Sequence, residues 1–273
     1  MINISDLVKK AKEEGYNEEQ ARAKIGQEII LFLLSRSGFC DNLTIKGGVL
    51  MRDLSKKVRR ATLDLDMDLI KYPLNETTIN SLVFKLNQND ELKISLIGTL
   101  DKLKHHQYEG LRGNLEIKDC HGYTLNCKID IGVHKYVEIE QSSYCFDISV
   151  ANGGVTLLAN TKEQMFAEKL KSLLRMGPFT TRFKDVYDLY FLSKIVDSKR
   201  LYRCIRILIF DDKKARENDF KEILNRVENI FGNPQFLFNL STSDRNWVKV
   251  DNNSVLKAII QFLKKQCRNN QRN

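Results

Sequence analysis

The spacing of apolar and polar positions changes character a little past the middle of the chain. Residues 62–70, TLDLDMDLI, alternate strictly: Leu63, Leu65, Met67 and Leu69 take one face, and Asp64, Asp66 and Asp68 take the other. That is the period of a half-buried strand. Shorter strand-like runs occupy 43–45, 92–97, 111–118, 123–132 and 145–150. Residues 18–37 carry Ile25, Ile29, Ile30, Leu33 and Leu34 at helical spacing, a helical turn spans 49–54, and 76–88 also reads as helix. From about residue 161 the period is 3.6 throughout. It predicts helices over 161–176, 182–196, 199–210, 213–231 and 253–267, with breaks at Gly177-Pro178 and Asn233-Pro234. The fold class expected is α+β (mixed α/β): a lobe with a mixed sheet over 1–158, then a mostly helical lobe over 159–273. The tail QCRNNQRN is polar and is expected to fray.

Composition adds limits. The chain has 273 residues, 42% hydrophobic and 29% charged, a globular balance that needs neither disulfide nor metal to sustain a core. No run approaches the roughly 18 apolar residues of a membrane span. The polar start, MINISDLVKKAKEEGYNEEQ, lacks the apolar centre of an export signal, so a cytoplasmic location is expected. The six cysteines show no Cys-x-x-Cys or Cys/His zinc spacing, and they read as thiols, with Cys127 and Cys204 in apolar settings. His105-His106 lies near His121, but adjacent histidines face different ways and make a poor chelate. The formal charge of +9 is uneven: residues 190–273 carry 17 basic and 9 acidic side chains, while 76–189 carry 14 and 15. A basic field of this kind fits a polyanion such as RNA, with Arg203, Arg206, Lys213 and Lys214 as candidate contacts. The simpler alternative is a solvated lysine-rich surface.

Three aspartates on one strand face repel one another and would be rejected by a core. An edge strand with a wet outer face would tolerate them, but the flanking residues point to a site. Upstream, a strand ends at Lys46-Gly47-Gly48 before a helical turn, where bare backbone N–H groups can approach phosphate. Asp64-x-Asp66 sets two carboxylates to share a divalent cation, and Mg²⁺ completes its shell with phosphate oxygens and water. The combination is the layout of metal-dependent phosphoryl or nucleotidyl transfer. A third carboxylate is expected from a neighbouring strand. In LNCKIDI, 125–131, the alternation puts Asn126, Lys128 and Asp130 on one face. Asp130 is the candidate, Asp147 in FDISV its rival, and an ordinary exposed strand charge the plainer explanation.

In the helical half, Met165, Phe166, Leu170, Leu173 and Leu174 form one apolar stripe, and Phe183, Val186, Leu189, Tyr190 and Ile195 form the next. Asp185 and Asp188, three apart, share a helix face. By themselves these residues describe two packed amphipathic helices tied by salt bridges.

Lys46-Gly47-Gly48 followed by Arg60-Ala61-Thr62-Leu63-Asp64-Leu65-Asp66 resembles the signature of AbiEii/AbiGii-type nucleotidyltransferase toxins. Ala167-Glu168-Lys169-Leu170, then Arg182-Phe183-Lys184-Asp185-Val186-Tyr187-Asp188-Leu189, resembles that family's second block, in the same order. The resemblance covers roughly 20–195. It implies a nucleotidyltransferase fold similar to the polymerase β superfamily, and a toxin of a toxin–antitoxin or phage-defence system, with a cognate antitoxin encoded nearby. It implies Asp64 and Asp66 as catalytic metal ligands for Mg²⁺ or Mn²⁺, Lys46, Gly47 and Gly48 as the nucleotide-binding turn, and Arg60 and Thr62 as phosphate contacts on the Asp64 face. Lys169 and Asp185 match functional positions of the helical lobe, with Asp188 beside them, and Lys169 would neutralise charge on pyrophosphate. The substrate would be an NTP and the acceptor an RNA, a tRNA 3′ end, giving blocked translation and no membrane involvement. Transfer to a protein side chain or an antibiotic is the enzymatic rival, and a non-catalytic nucleotide-binding module the other.

Overall fold

The chain is seen in a computed structural model that describes residues 2–103 and 110–270, the last by its backbone alone, so His105-His106 lies outside the described residues. It divides into two units, residues 1–160 and 161–273. In the first unit the strands are β1 (Leu43–Lys46), β2 (Asp64–Leu69), β3 (Leu92–Lys102), β4 (Leu111–Asp119), β5 (Thr124–Val133), β6 (Ser142–Phe146) and β7 (Val155–Ala159). They build one mixed sheet in the order β3-β4-β5-β2-β1-β7-β6. β2 runs antiparallel to β1 and parallel to β5, and β1 runs parallel to β7. Strictly alternating β2 is therefore central, paired on both sides, with Leu65, Met67 and Leu69 fully buried.

Five helical segments complete this unit. Helix α1 (Ile4–Glu13) and helix α2 (Glu18–Arg36) precede the sheet, α3 (Gly47–Ser55) follows β1, a 3₁₀ turn spans Val58–Arg60, and α4 (Glu76–Leu86) follows β2. α2 starts at a capping box, in which Asn17 accepts from the Gln20 backbone and Gln20 from the Asn17 backbone. It lies close on β5 because Gly26 carries no side chain. A Cβ there would stand 2.9 Å from Leu125 Cδ1 and 3.2 Å from Cys127 Cβ. Burial under α2 pushes the Cys127 thiol up to about 12.

The second unit contains α5 (Lys162–Met176), α6 (Phe183–Leu192), α7 (Ser198–Ile205), α8 (Phe220–Phe231), α9 (Pro234–Ser241) and α10 (Asn252–Asn270). α7 runs on into a π-helical turn, Arg206–Phe210. Phe166, Leu170, Tyr187, Leu189, Ile223, Val227, Ile259 and Leu263 form its core, each 0% exposed. Among the described residues no helix is long and apolar enough to cross a membrane.

Several elements depart from the pattern read along the chain. α1 is too charged to show a plain apolar stripe, yet Ile4, Val8 and Ala11 bury one face and Asn3 caps it. β7 is a short apolar run after Gly153-Gly154 that only its place beside β1 makes a strand. The strand expected at 145–150 lies at 142–146. Leu63 precedes β2 and is 43% exposed rather than facing the core. Residues 213–219 are not helical, because Asp219 caps α8 only from Phe220 onward. α9 was hidden behind Asn233-Pro234, where Pro234 opens a helix instead of ending one. The polar tail continues α10 through Asn270 rather than fraying from Gln266.

Candidate active site

The sheet register decides which of the charged side chains meet. Lys46 on β1 is the partner of Asp66 on β2, Asp66 of Asp130 on β5, and Asp130 of Arg112 on β4. Register partners share a face, so four strands present one row: Lys46, Asp66, Asp130, Arg112. The next row toward the start of β2 holds Asp64, Lys128 and Asn114, and the next in the other direction holds Thr44, Asp68 and Gly132. Strand alternation thus brings Asp64, Asp66 and Asp130 onto one patch, ordered cation–anion–anion–cation across its middle.

The pairing within this patch is specific. Arg112 binds Asp130 through both ends of its fork, Nε to Oδ1 at 2.7 Å and Nη2 to Oδ2 at 2.6 Å, and Nη2 is 3.9 Å from Asp64. Lys128 Nζ is 3.0 Å from Asp64 Oδ1. Lys46 Nζ donates to Asp68 at 2.6 Å, so the third aspartate of β2 is neutralised by the residue just before the glycines. Gly132 makes room for that aspartate, because a Cβ there would collide with Asp68 Oδ1. Asp147, the rival third carboxylate, follows edge strand β6, is exposed, and pairs with Lys56 at 3.2 Å.

α3 begins at Gly47, and the side chain of its N-cap residue, Lys46, makes no capping hydrogen bond. Its first amides are orphan donors at the positive end of a helix dipole. One of them, Gly48 N–H, points at Asp66 Oδ2 at 3.5 Å. Gly47 has φ +67, and a Cβ on it would run into Asp66 Oδ2. A Cβ on Gly48 would run into Thr62 Oγ1. The two glycines are thus required by the carboxylate and hydroxyl that press on the turn. Thr62 lies against the turn while its carbonyl accepts from Gln27. Arg60 is placed differently from its expected position on the Asp64 face. It belongs to the 3₁₀ turn before the strand, where alternation does not apply, and it is buried.

The donor set suits a divalent cation. Burial, opposed by Lys46 and the Gly48 amide and reinforced by Asp130 and Asp64, pushes the Asp66 carboxyl up to about 6. Asp64 Oδ1 is shielded from solvent and lies against Lys128 Nζ at 3.0 Å. A carboxylate patch still short of positive charge is the environment a small oxygen-seeking cation relieves. The patch is not drawn in around an ion: among the described residues no three acidic, histidine or cysteine side chains are gathered tightly enough to hold one.

In the helical unit, Lys169 Nζ lies 2.6 Å from Asp185 Oδ1 and 2.8 Å from Asp188 Oδ2. Asp188 is 0% exposed and also accepts from Trp247 Nε1 at 2.9 Å. Asp185 and Asp188 stand one turn apart on α6 and close together on the lysine of α5. Arg203, Arg206, Lys213 and Lys214 are all exposed. Sequence reasoning missed Arg112 and Trp247. Arg112 lies on the polar side of an alternating strand, but only the register shows that it opposes Asp130.

The chain matches the family model described as nucleotidyl transferase AbiEii toxin, type IV TA system, over residues 29–248. Among solved structures it is similar to MenT4, a nucleotidyltransferase toxin from Mycobacterium tuberculosis H37Rv, with a TM-score of 0.55 and 14% identity over 96% of this chain and 99% of that one. A nucleotidyltransferase-like antigenic protein from Paracoccidioides brasiliensis gives a TM-score of 0.49 and 13% identity over 81% of this chain and 93% of its own. No curated protein matches the chain in sequence. At such identities the structural likeness speaks for the fold alone.

Proposed function

The chain belongs to the AbiEii nucleotidyltransferase toxin family, and we propose that it transfers a nucleoside monophosphate from an NTP to an RNA, a tRNA 3′ end. It is a nucleotidyltransferase and a toxin of a type IV toxin–antitoxin system. The observation that carries the finer reading is the cross-strand patch of Asp64, Asp66 and Asp130 beside the N-terminus of α3.

In this reading Asp64 and Asp66, with Asp130, hold Mg²⁺ or Mn²⁺. When bound, the cation supplies Lewis-acid activation of the phosphate and neutralises charge on the leaving pyrophosphate. The Gly47-Gly48 turn and the first amides of α3 receive the triphosphate, which competes with Asp66 for the same donors. Lys46 and Thr62 flank that turn. The acceptor hydroxyl oxygen bonds to the α-phosphorus, the α–β phosphoanhydride bond breaks, pyrophosphate leaves, and the hydroxyl proton passes to a carboxylate of the patch or to solvent. Lys169, Asp185 and Asp188 are further functional positions, and Arg203, Arg206, Lys213 and Lys214 supply phosphate contacts for RNA. The reaction takes place in the cytoplasm, blocks translation, and serves phage defence under control of an antitoxin encoded nearby.

The test is incubation with each α-³²P-labelled NTP, Mg²⁺, and total RNA and protein together. Label on the 3′ end of RNA is the expected result. Label confined to protein overturns the RNA acceptor and favours side-chain modification.

A further inference from the structure

Arg112 is bound closely into the carboxylate patch while standing outside the glycine turn and the acidic strand. Its guanidinium makes two short bonds to Asp130, which is 7% exposed, and approaches Asp64 at 3.9 Å. It therefore occupies both oxygens of one carboxylate and borders a second. Of the other two cations of the patch, Lys128 pairs with Asp64, and Lys46 pairs with Asp68 and offsets the charge of Asp66. Three carboxylates set this close are unfavourable without a positive partner. Arg112 supplies that partner in a planar geometry a lysine cannot match.

We propose that Arg112 is a resident counter-ion of the site: it holds and aims Asp130, and it must yield at least one of its bonds when a divalent cation binds. It thereby lowers the site's affinity for the cation and sets the concentration at which the enzyme loads. Arg112 is a positioning residue in this scheme. Displacement is feasible because Arg112 is about one-third exposed, and because exposed Asp101 on β3 is its register partner on the side away from Asp130. A carboxylate is available on each flank. The inference rests on the proposed metal-dependent reading of the Asp64–Asp66–Asp130 patch.

The experiment is Mn²⁺ titration of the full chain followed by electron paramagnetic resonance of free Mn²⁺, without nucleotide. Wild type, Arg112→Met, Arg112→Lys and Asp66→Asn are compared. Wild-type binding should be lost in Asp66→Asn. Removing the competing charge in Arg112→Met should tighten binding about tenfold, the scale on which one neighbouring charge shifts an ionic equilibrium. Arg112→Lys, which keeps the charge, should stay close to wild type. If Arg112→Met does not fold without cation, Arg112→Gln carries the same expectation. Unchanged or weaker Mn²⁺ affinity in the neutral variant, with Asp66-dependent binding intact in wild type, overturns the role of Arg112. Absence of Asp66-dependent binding in wild type overturns the reading of the site itself.

Discussion

At the scale of single residues, Gly47 joins backbone conformation to chemistry most directly. It combines φ +67 with contact against Asp66. Gly47→Ala should strain the turn and push the carboxylate aside, lowering kcat by about 100-fold, the scale expected when a reacting group moves by about 1 Å. Steady-state kinetics with NTP and RNA would check this, and near-normal kcat would show that the turn adapts. Asp66 makes a pH prediction. Its carboxyl lies at about 6 rather than the ordinary 3.8, so the unfolded chain releases this proton first as pH rises. The folded metal-free protein holds more protons between about pH 4 and about pH 6, and it loses stability across that window, on the order of 3 kcal/mol. Asp66→Asn should flatten the slope in urea unfolding. Lys169 is held by two carboxylates, one of them fully buried. Lys169→Met should cost about 3 kcal/mol by taking the neutralising cation away from a buried carboxylate, read by the fluorescence of Trp247, the one tryptophan. Asp64 and Asp66 stood out in the sequence because their charges break an apolar rhythm, and Lys169 stood out only through the family resemblance. Trp247 did not, since nothing along the chain connects it to Asp188.

At the scale of elements, α2 and the sheet show what periodicity yields and where it stops. Ile25, Ile29, Ile30, Leu33 and Leu34 announced the helix, and all five are buried. That Gly26 sets the distance of α2 from β5 follows only from packing. Gly26→Leu should overpack that contact and cost about 1–3 kcal/mol by denaturant unfolding. The alternation of β2 and β5 gave the two polar faces correctly, and with them Asp130. It could not give register, because a slip of two residues preserves every face. The opposition of Asp66 to Asp130, and of Asp130 to Arg112, was therefore out of reach of the sequence. Short β7 and proline-led α9 were missed because local composition underdetermines them and tertiary pairing decides.

At the scale of the molecule, charge separates by unit. Residues 161–273 carry 23 basic and 13 acidic side chains, and residues 1–160 carry 21 and 22. If the helical unit supplies phosphate contacts, RNA modification should fall steeply with salt. Charge reversal at Arg203, Arg206, Lys213 and Lys214 should reduce that slope and weaken RNA modification while NTP binding persists. Equal loss of both would mean that these exposed cations only solvate the surface. The most direct measurement compares transfer of α-³²P label from NTP to RNA by wild type and by Asp66→Asn, the two shown to be equally folded by circular dichroism. Wild type should label RNA in the presence of Mg²⁺, and Asp66→Asn should lose at least about 100-fold of that rate. Label transferred equally by both proteins would contradict the assignment of nucleotidyl transfer to the carboxylate patch.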